Sequence, residues 1–308
     1  MVGQSGCRVV VSGDCKVRTA VTGADGQLGR AFARHLKDRC VPLAKSDCDL
    51  LESASVYRAL DIVRPAIIIN CAAYTQVDHA EHQPDVCYAV NADGVTTLAK
   101  WCQQHDAALV HISTDYVFGQ PSENRMPWTE SDVPMPACTY AASKLAGEQH
   151  AAGVPRHLII RTCGLYGPVA KANFVDTMLR LGSQRSELRI VADQQCTPTY
   201  VEHLVPAILQ LLEVALATPT KAGNLPTDES LWGLYHLTNS GETCWSQFAK
   251  EIFHLAKLDV DVQEISSLEY GAAAQRPSYS VLDMSKYLST GCRPLPSWQQ
   301  ALARYLTS

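Results

Sequence analysis

Arg18-Thr19-Ala20-Val21-Thr22-Gly23-Ala24-Asp25-Gly26-Gln27-Leu28-Gly29 is the stretch that decides the fold. Its first four residues read as a short buried strand, and three glycines at intervals of three follow at once. Such a passage from strand through turn to helix opens a βαβ unit. The glycines allow the tight turn and let backbone amides at the helix start approach an anionic group such as a pyrophosphate. Leu28, Phe32 and Leu36 then recur at helical spacing, so the new helix packs back onto the sheet.

Working outward, strands and helices alternate. A second strand ends near Leu43. Residues 55–63 read as a helix closed by Arg64-Pro65, and residues 66–69 as a strand running into Asn70-Cys71-Ala72-Ala73. A helix is expected over residues 92–105. Leu109-Val110-His111-Ile112 has the apolar character of a central parallel strand, and residues 158–161 supply another. The expectation is an α/β fold, with a doubly wound parallel (Rossmann) sheet over residues 17–168 and a smaller C-terminal substrate domain mainly within 169–308. Helices are expected there at 173–181, 202–215 and 245–256, with a Gly- and Pro-bearing loop at 218–226. Segments 188–215 and 234–240 are expected to return to the first domain. Residues 1–16 precede the sheet as an extension whose order the sequence leaves open.

Composition removes several function classes. With a net charge of -5 there is no basic stripe for a nucleic-acid backbone, and no apolar run approaches the length of a membrane span, so a cytoplasmic protein is expected. The 12 cysteines include no Cys-x-x-Cys pair and read as reduced core thiols. Asp47, Asp49 and Glu52 read as hydrated loop carboxylates. His79, Glu81 and His82 lack the partners of a zinc set, so no metal is assigned. His111, Trp128 and Trp245 read as packing residues.

Chemistry concentrates in Tyr140-Ala141-Ala142-Ser143-Lys144, downstream of Ser113-Thr114-Asp115-Tyr116. On a helix, Tyr140 and Lys144 share one face, where an ammonium favours a phenolate and makes the tyrosine a proton donor usable near neutrality. Thr114, at a strand end, would hold a substrate oxygen. Together with the glycine turn, these residues read as a nicotinamide-dependent reductase. Lys45 stands near the end of the second strand, where an acidic residue would select NAD. A lysine there meets a 2′-phosphate, so NADPH is the expected cofactor, with NADH also open.

In this order the residues resemble the extended short-chain dehydrogenases/reductases and, more closely, the dTDP-4-dehydrorhamnose reductase family. The resemblance runs from about residue 17 to residue 305. It is carried by the glycine turn, by Asn70-Cys71-Ala72-Ala73-Tyr74-Thr75-Gln76-Val77-Asp78 and by Ser113-Thr114-Asp115-Tyr116-Val117-Phe118. Lys144-Leu145-Ala146-Gly147-Glu148 and Arg276-Pro277 add to it. It implies reduction of the 4-keto group of a nucleotide-linked 6-deoxyhexose, with Thr114, Tyr140 and Lys144 as the catalytic set. It also implies cofactor contacts at Gly26, Gln27, Leu28, Asp49, Leu50, Ala72, Ala73 and Tyr74, with Asn91 supporting the site; Gly23, Asp25 and Gly29 of the glycine turn and Lys45 complete the expected cofactor set. Val77, Thr114, Asp115, Tyr116 and Gly164 would line the sugar-nucleotide pocket. At Gly164 the chain departs from the family, which usually places a tryptophan there against the sugar, and Tyr279 stands where the family has asparagine. A homodimer stays open. Two alternatives share the resemblance: an NADP-binding regulatory subunit like the β subunit of methionine adenosyltransferase, and a nucleotide-sugar epimerase. Tyr116 occupies the place where dehydratases usually carry an acid.

Overall fold

A computed structural model of the chain describes residues 18–120, 125–168, 173–218 and 230–307. The 1–16 extension and residues 219–226 of the expected loop lie outside the described residues. Strands β1 (Thr19–Thr22), β2 (Cys40–Leu43), β3 (Ile67–Asn70), β4 (Ala108–Thr114) and β5 (His157–Thr162) form one sheet with the strand Gly233–His236. All its pairings are parallel, and the order across it is Gly233–His236, β5, β4, β3, β1, β2.

Alternation along these strands feeds two cores. Val21, Ile69, Val110 and Ile160 pack against Leu28 and Phe32 of helix α1 (Gln27–Leu36), and against Leu204 and Ile208 of the Val201–Ala217 helix. Ala20, Ile68, Leu109 and Ile159 face the other way, onto Val56 and Leu60 of helix α2 (Ser53–Val63) and onto Leu98 and Trp101 of the Gly94–His105 helix. A third cluster, with Tyr166, Val175, Ile190, Phe248 and Leu302, forms a core outside the central sheet.

Residues 233–236 thus join the central sheet, and the 201–217 helix packs on α1. Segment 188–191 does not return as expected. The strand Glu187–Val191 pairs with Asp261–Ile265 in a separate two-stranded sheet. Its alternation of exposed Glu187 and Arg189 with buried Leu188 and Ile190 suits a one-sided ribbon, whereas a central parallel strand is buried on both faces. The expected helix at 92–105 begins at Gly94 and is preceded by a π-helical segment, Ala89–Asp93. Among the described residues no helix is long and apolar enough to cross a membrane, and the ten described cysteines are free.

Candidate active site

β1 has β2 on one side and β3 on the other, so the loops leaving the carboxyl ends of β1 and β3 part at a topological switch point. In open parallel sheets ligands bind in that crevice. Gly23 follows β1 with φ 63°, and a Cβ there would lie 2.7 Å from the Ala72 nitrogen after β3. Only glycine fits the turn. Gly26 caps α1, and no capping side chain is bonded there, which leaves the helix amides to act on an anion.

A cavity of about 560 Å³ opens at this point. Its walls include Gly23, residues 25–29, Lys45, residues 49–50 and 72–74, Tyr140 and Lys144. All of the cofactor residues expected from the sequence are there except Asn91. That side chain is 1% exposed and works behind the wall, accepting from the Tyr74 amide (2.8 Å) and donating to the Tyr74 carbonyl (3.1 Å). A dinucleotide fits this donor set: a glycine turn and a positive helix end for the pyrophosphate, and a cation beyond β2. Lys45 is largely exposed, with Nζ 3.8 Å from Asp49 Oδ2. Cys71, Thr75, Val90, Ile112, Ser113 and Leu165 also line the cavity. For all but Val90, which lies in the π-helical segment beside Asn91, their signal in the sequence was nearness to the strand ends already singled out.

Thr114 ends β4, and the Thr139–Ala151 helix brings Tyr140 and Lys144 over it. The Thr114 hydroxyl donates to Asp115 Oδ1 at 3.2 Å and lies close enough to the Tyr140 phenol to oppose the effect of burial on it. Lys144, 2% exposed, donates to the Ile112 carbonyl at 2.6 Å. The expected electrostatics are corrected here. Burial pushes the Tyr140 phenol up, with the Thr114 hydroxyl opposing, and burial pushes the Lys144 amine down to about 8. The lysine is aimed at a carbonyl, and desolvation outweighs any pull on the phenol.

Val77, Tyr116 and Tyr140 pack around Cys138, Ala141 and Ala274, and the Tyr116 and Tyr140 rings meet edge-on with centroids 6.0 Å apart. Asp115, 1% exposed, accepts from Ser280 Oγ (2.5 Å) and Thr114 Oγ1 (3.2 Å), and burial pushes its carboxyl up to about 6. Arg276 grips Asp78 through two bonds of 2.7 and 3.0 Å, pinning the loop before Ser280 to the segment after β3. The sequence marked both residues without pairing them.

Gly164 lies beside this cluster, since the neighbouring Cys163 is close enough to Asp115 to act on its carboxyl. It has φ 52°, and a Cβ there would stand 3.2 Å from both Pro198 Cα and Trp245 Cη2. Trp245, the first residue of the Trp245–Ala256 helix, thus places its ring directly against residue 164, and it also packs on Phe174 with ring centroids 4.7 Å apart. Tyr279 is buried, its hydroxyl reaching Glu242 (3.3 Å) and its carbonyl accepting from Trp128 Nε1 (3.0 Å). Among the described residues no group of three or more His, Cys, Asp or Glu is placed to hold a metal ion.

The chain is 38% identical to a dTDP-4-dehydrorhamnose reductase of Streptomyces griseus, covering 92% of this chain and 91% of the relative. It is 36% identical to another of that name from Aggregatibacter actinomycetemcomitans, covering 92% and 97%. The crystal structure of dTDP-4-dehydrorhamnose reductase from Bacillus anthracis in complex with NADP superposes with a TM-score of 0.85 at 38% identity, covering 94% of this chain and 98% of that one. Residues 17–308 match the family described as RmlD substrate binding domain, and the chain belongs to that family.

Proposed function

We propose that the protein is an NADPH-dependent reductase acting on the 4-keto group of a dTDP-linked 6-deoxyhexose. The observation that carries this reading is the meeting of Tyr140 and Lys144 on the wall of the cavity that begins at the glycine turn, with Thr114 beside the phenol. The hydride would come from NADPH held in that cavity. Gly23 and the α1 amides bind the pyrophosphate, and Asn91 holds the Tyr74 backbone in place beside the cofactor. Thr114 and Tyr140 together grip the carbonyl oxygen, so the phenol donates its proton as charge develops there. A phenol pushed up by burial stays protonated until that moment and then meets a strongly basic alkoxide. Val77 and Tyr116 flank the sugar, with Asp115 behind them. Identities of 38% and 36% to named reductases favour reduction over the epimerase alternative, and Tyr116, standing where dehydratases usually carry an acid, counts against elimination.

The test is turnover. Purified protein mixed with NADPH and a dTDP-4-keto-6-deoxyhexose is expected to oxidise the cofactor and yield the 4-hydroxy sugar in equal amounts. Cofactor binding without oxidation, across a panel of such ketosugars, would count against catalysis and for a regulatory subunit.

A further inference from the structure

His111 lies in the middle of β4, 0% exposed, in a place where an apolar residue would be expected. It forms part of an unbroken buried chain. Thr22 Oγ1 donates to Asn70 Oδ1 at 2.6 Å, Asn70 Nδ2 lies 3.1 Å from His111 Nδ1, and His111 Nε2 lies 3.3 Å from Lys144 Nζ. Thr22, Asn70 and Lys144 are likewise at most 2% exposed. The chain crosses from the end of β1, beside the glycine turn, through β3 and β4 to the catalytic helix.

The direction of these bonds is fixed by one group that can act in only one way. The Ala72 backbone N–H can only donate, and it donates to Asn70 Oδ1 at 3.2 Å. The amide oxygen is therefore committed to Ala72 and Thr22, and Nδ2, a donor only, faces His111. Nδ1 of His111 must accept. Burial and the neighbouring lysine push the imidazole well below its usual range, so it is neutral and its single proton sits on Nε2. That N–H points at the Lys144 nitrogen. An ammonium has no lone pair to receive it, whereas a neutral amine does.

We propose that His111 is a positioning residue for Lys144, held by Asn70 as the Nε2–H tautomer so that it fixes the amine in place and stabilises its uncharged form. This rests on the reductase reading for its consequence. When the Tyr140 O–H passes its proton to the sugar oxygen, the phenolate can take a proton from Lys144, and the neutral amine left behind accepts the His111 N–H. Gly147 makes the approach feasible: a Cβ there would lie 2.1 Å from the Asn91 carbonyl oxygen and 3.3 Å from His111 Nε2, driving the helix outward. The other groups facing Lys144 are Glu148 and Tyr140 on its own helix, Cys71 after β3 and Cys87 from the Pro84–Tyr88 helix. Glu148 favours the charged lysine, and both thiols are pushed up by burial and stay neutral. Burial already works against Glu148 at the amine, and His111 is the neutral donor that faces the same nitrogen from β4.

The first experiment needs no turnover. In full-length protein labelled with ¹⁵N-histidine, long-range ¹H–¹⁵N correlation at neutral pH should show His111 protonated on Nε2 and bare on Nδ1, with its signals assigned by their loss in His111→Gln. A ring protonated on Nδ1, or on both nitrogens, overturns the proposal whatever the protein's activity. The second compares pH–rate profiles of NADPH oxidation. His111→Leu should move the lysine limb to higher pH by about one unit with KM for NADPH unchanged. His111→Gln, whose oxygen can accept from Asn70 while its NH₂ faces the amine, should restore the parent profile. A His111→Leu profile superimposable on the parent overturns the proposal. If the parent itself does not turn over, the reductase reading fails while the tautomer measurement still decides this one.

Discussion

Arg161 Nη2 stands 2.7 Å from Glu148 Oε2, with side-chain exposures of 3% and 6%. Glu148 lies on the Thr139–Ala151 helix, one turn beyond Lys144, and Ser113 Oγ donates to the same carboxylate. Removing one partner of a buried pair leaves an uncompensated charge, which is far costlier than the net worth of the pair. Glu148→Gln is therefore expected to cost about 3 kcal/mol or more of stability, read from denaturant midpoints. A loss below about 1 kcal/mol would mean that water reaches Arg161.

Tyr140→Phe keeps the edge-on packing against Tyr116 and removes the proton donor. We expect kcat to fall by ~10²–10⁴-fold with NADPH affinity nearly unchanged, measured by steady-state kinetics and cofactor titration. Near-normal turnover would remove Tyr140 from the chemistry.

Lys45→Ala should weaken NADPH binding several-fold and leave NADH binding alone, since only NADPH carries a 2′-phosphate for the cation. Because Lys45 is exposed and already 3.8 Å from Asp49, solvent screening keeps the effect modest, below about tenfold. Equal changes for both cofactors in calorimetric titration would make Lys45 an ordinary surface charge.

Gly164→Trp meets Pro198 and Trp245 at once and forces a bulky residue into a left-handed backbone. The expected result is a loss of about 2–4 kcal/mol in stability and a fall in kcat/KM on the dTDP sugar. A gain in kcat/KM would show that Trp245 yields and that the pocket had simply lost a wall.

Asp115 titrates at a raised value in the fold, about 6, because burial disfavours its carboxylate. Its contribution to stability is thus complete below the unfolded-state value and is lost as pH rises through about 6. Across that window the parent should lose on the order of 3 kcal/mol relative to Asp115→Asn, which has no proton to release. Unfolding curves of both proteins at acid and neutral pH give the slope. Parallel pH dependences would place the titration elsewhere.

The signals legible in the sequence were local ones. The glycine turn, the apolar strand runs and the Tyr140–Lys144 spacing each lie within a dozen residues, and the strand ends they imply are where the cavity opens. Contacts made only by folding were out of reach. Nothing in the primary structure pairs Asn70 with His111, Arg276 with Asp78, or Trp245 with Gly164. His111 looked like a core residue because it is one, and its hydrogen bonds depend on which strands become neighbours. The lysine's effect on Tyr140 was misjudged for a related reason: spacing gives proximity, while burial decides the sign of the shift. Segment 188–191 was misplaced because a short apolar run does not reveal which sheet it joins.

The strand Gly233–His236 closes one edge of the central sheet, and the Val201–Ala217 helix covers one of its faces. On the ribosome, then, the first five strands emerge long before their lid and their outer neighbour have been synthesised. Leu158 and Ile160 lack the helix that buries them until residue 217 clears the exit tunnel, and β5 remains an open edge until residue 236 does. The nascent chain must carry that exposed apolar face for the whole interval, which makes this stage of synthesis the natural point for a chaperone to act. A fragment ending near residue 168 would be arrested in the same condition.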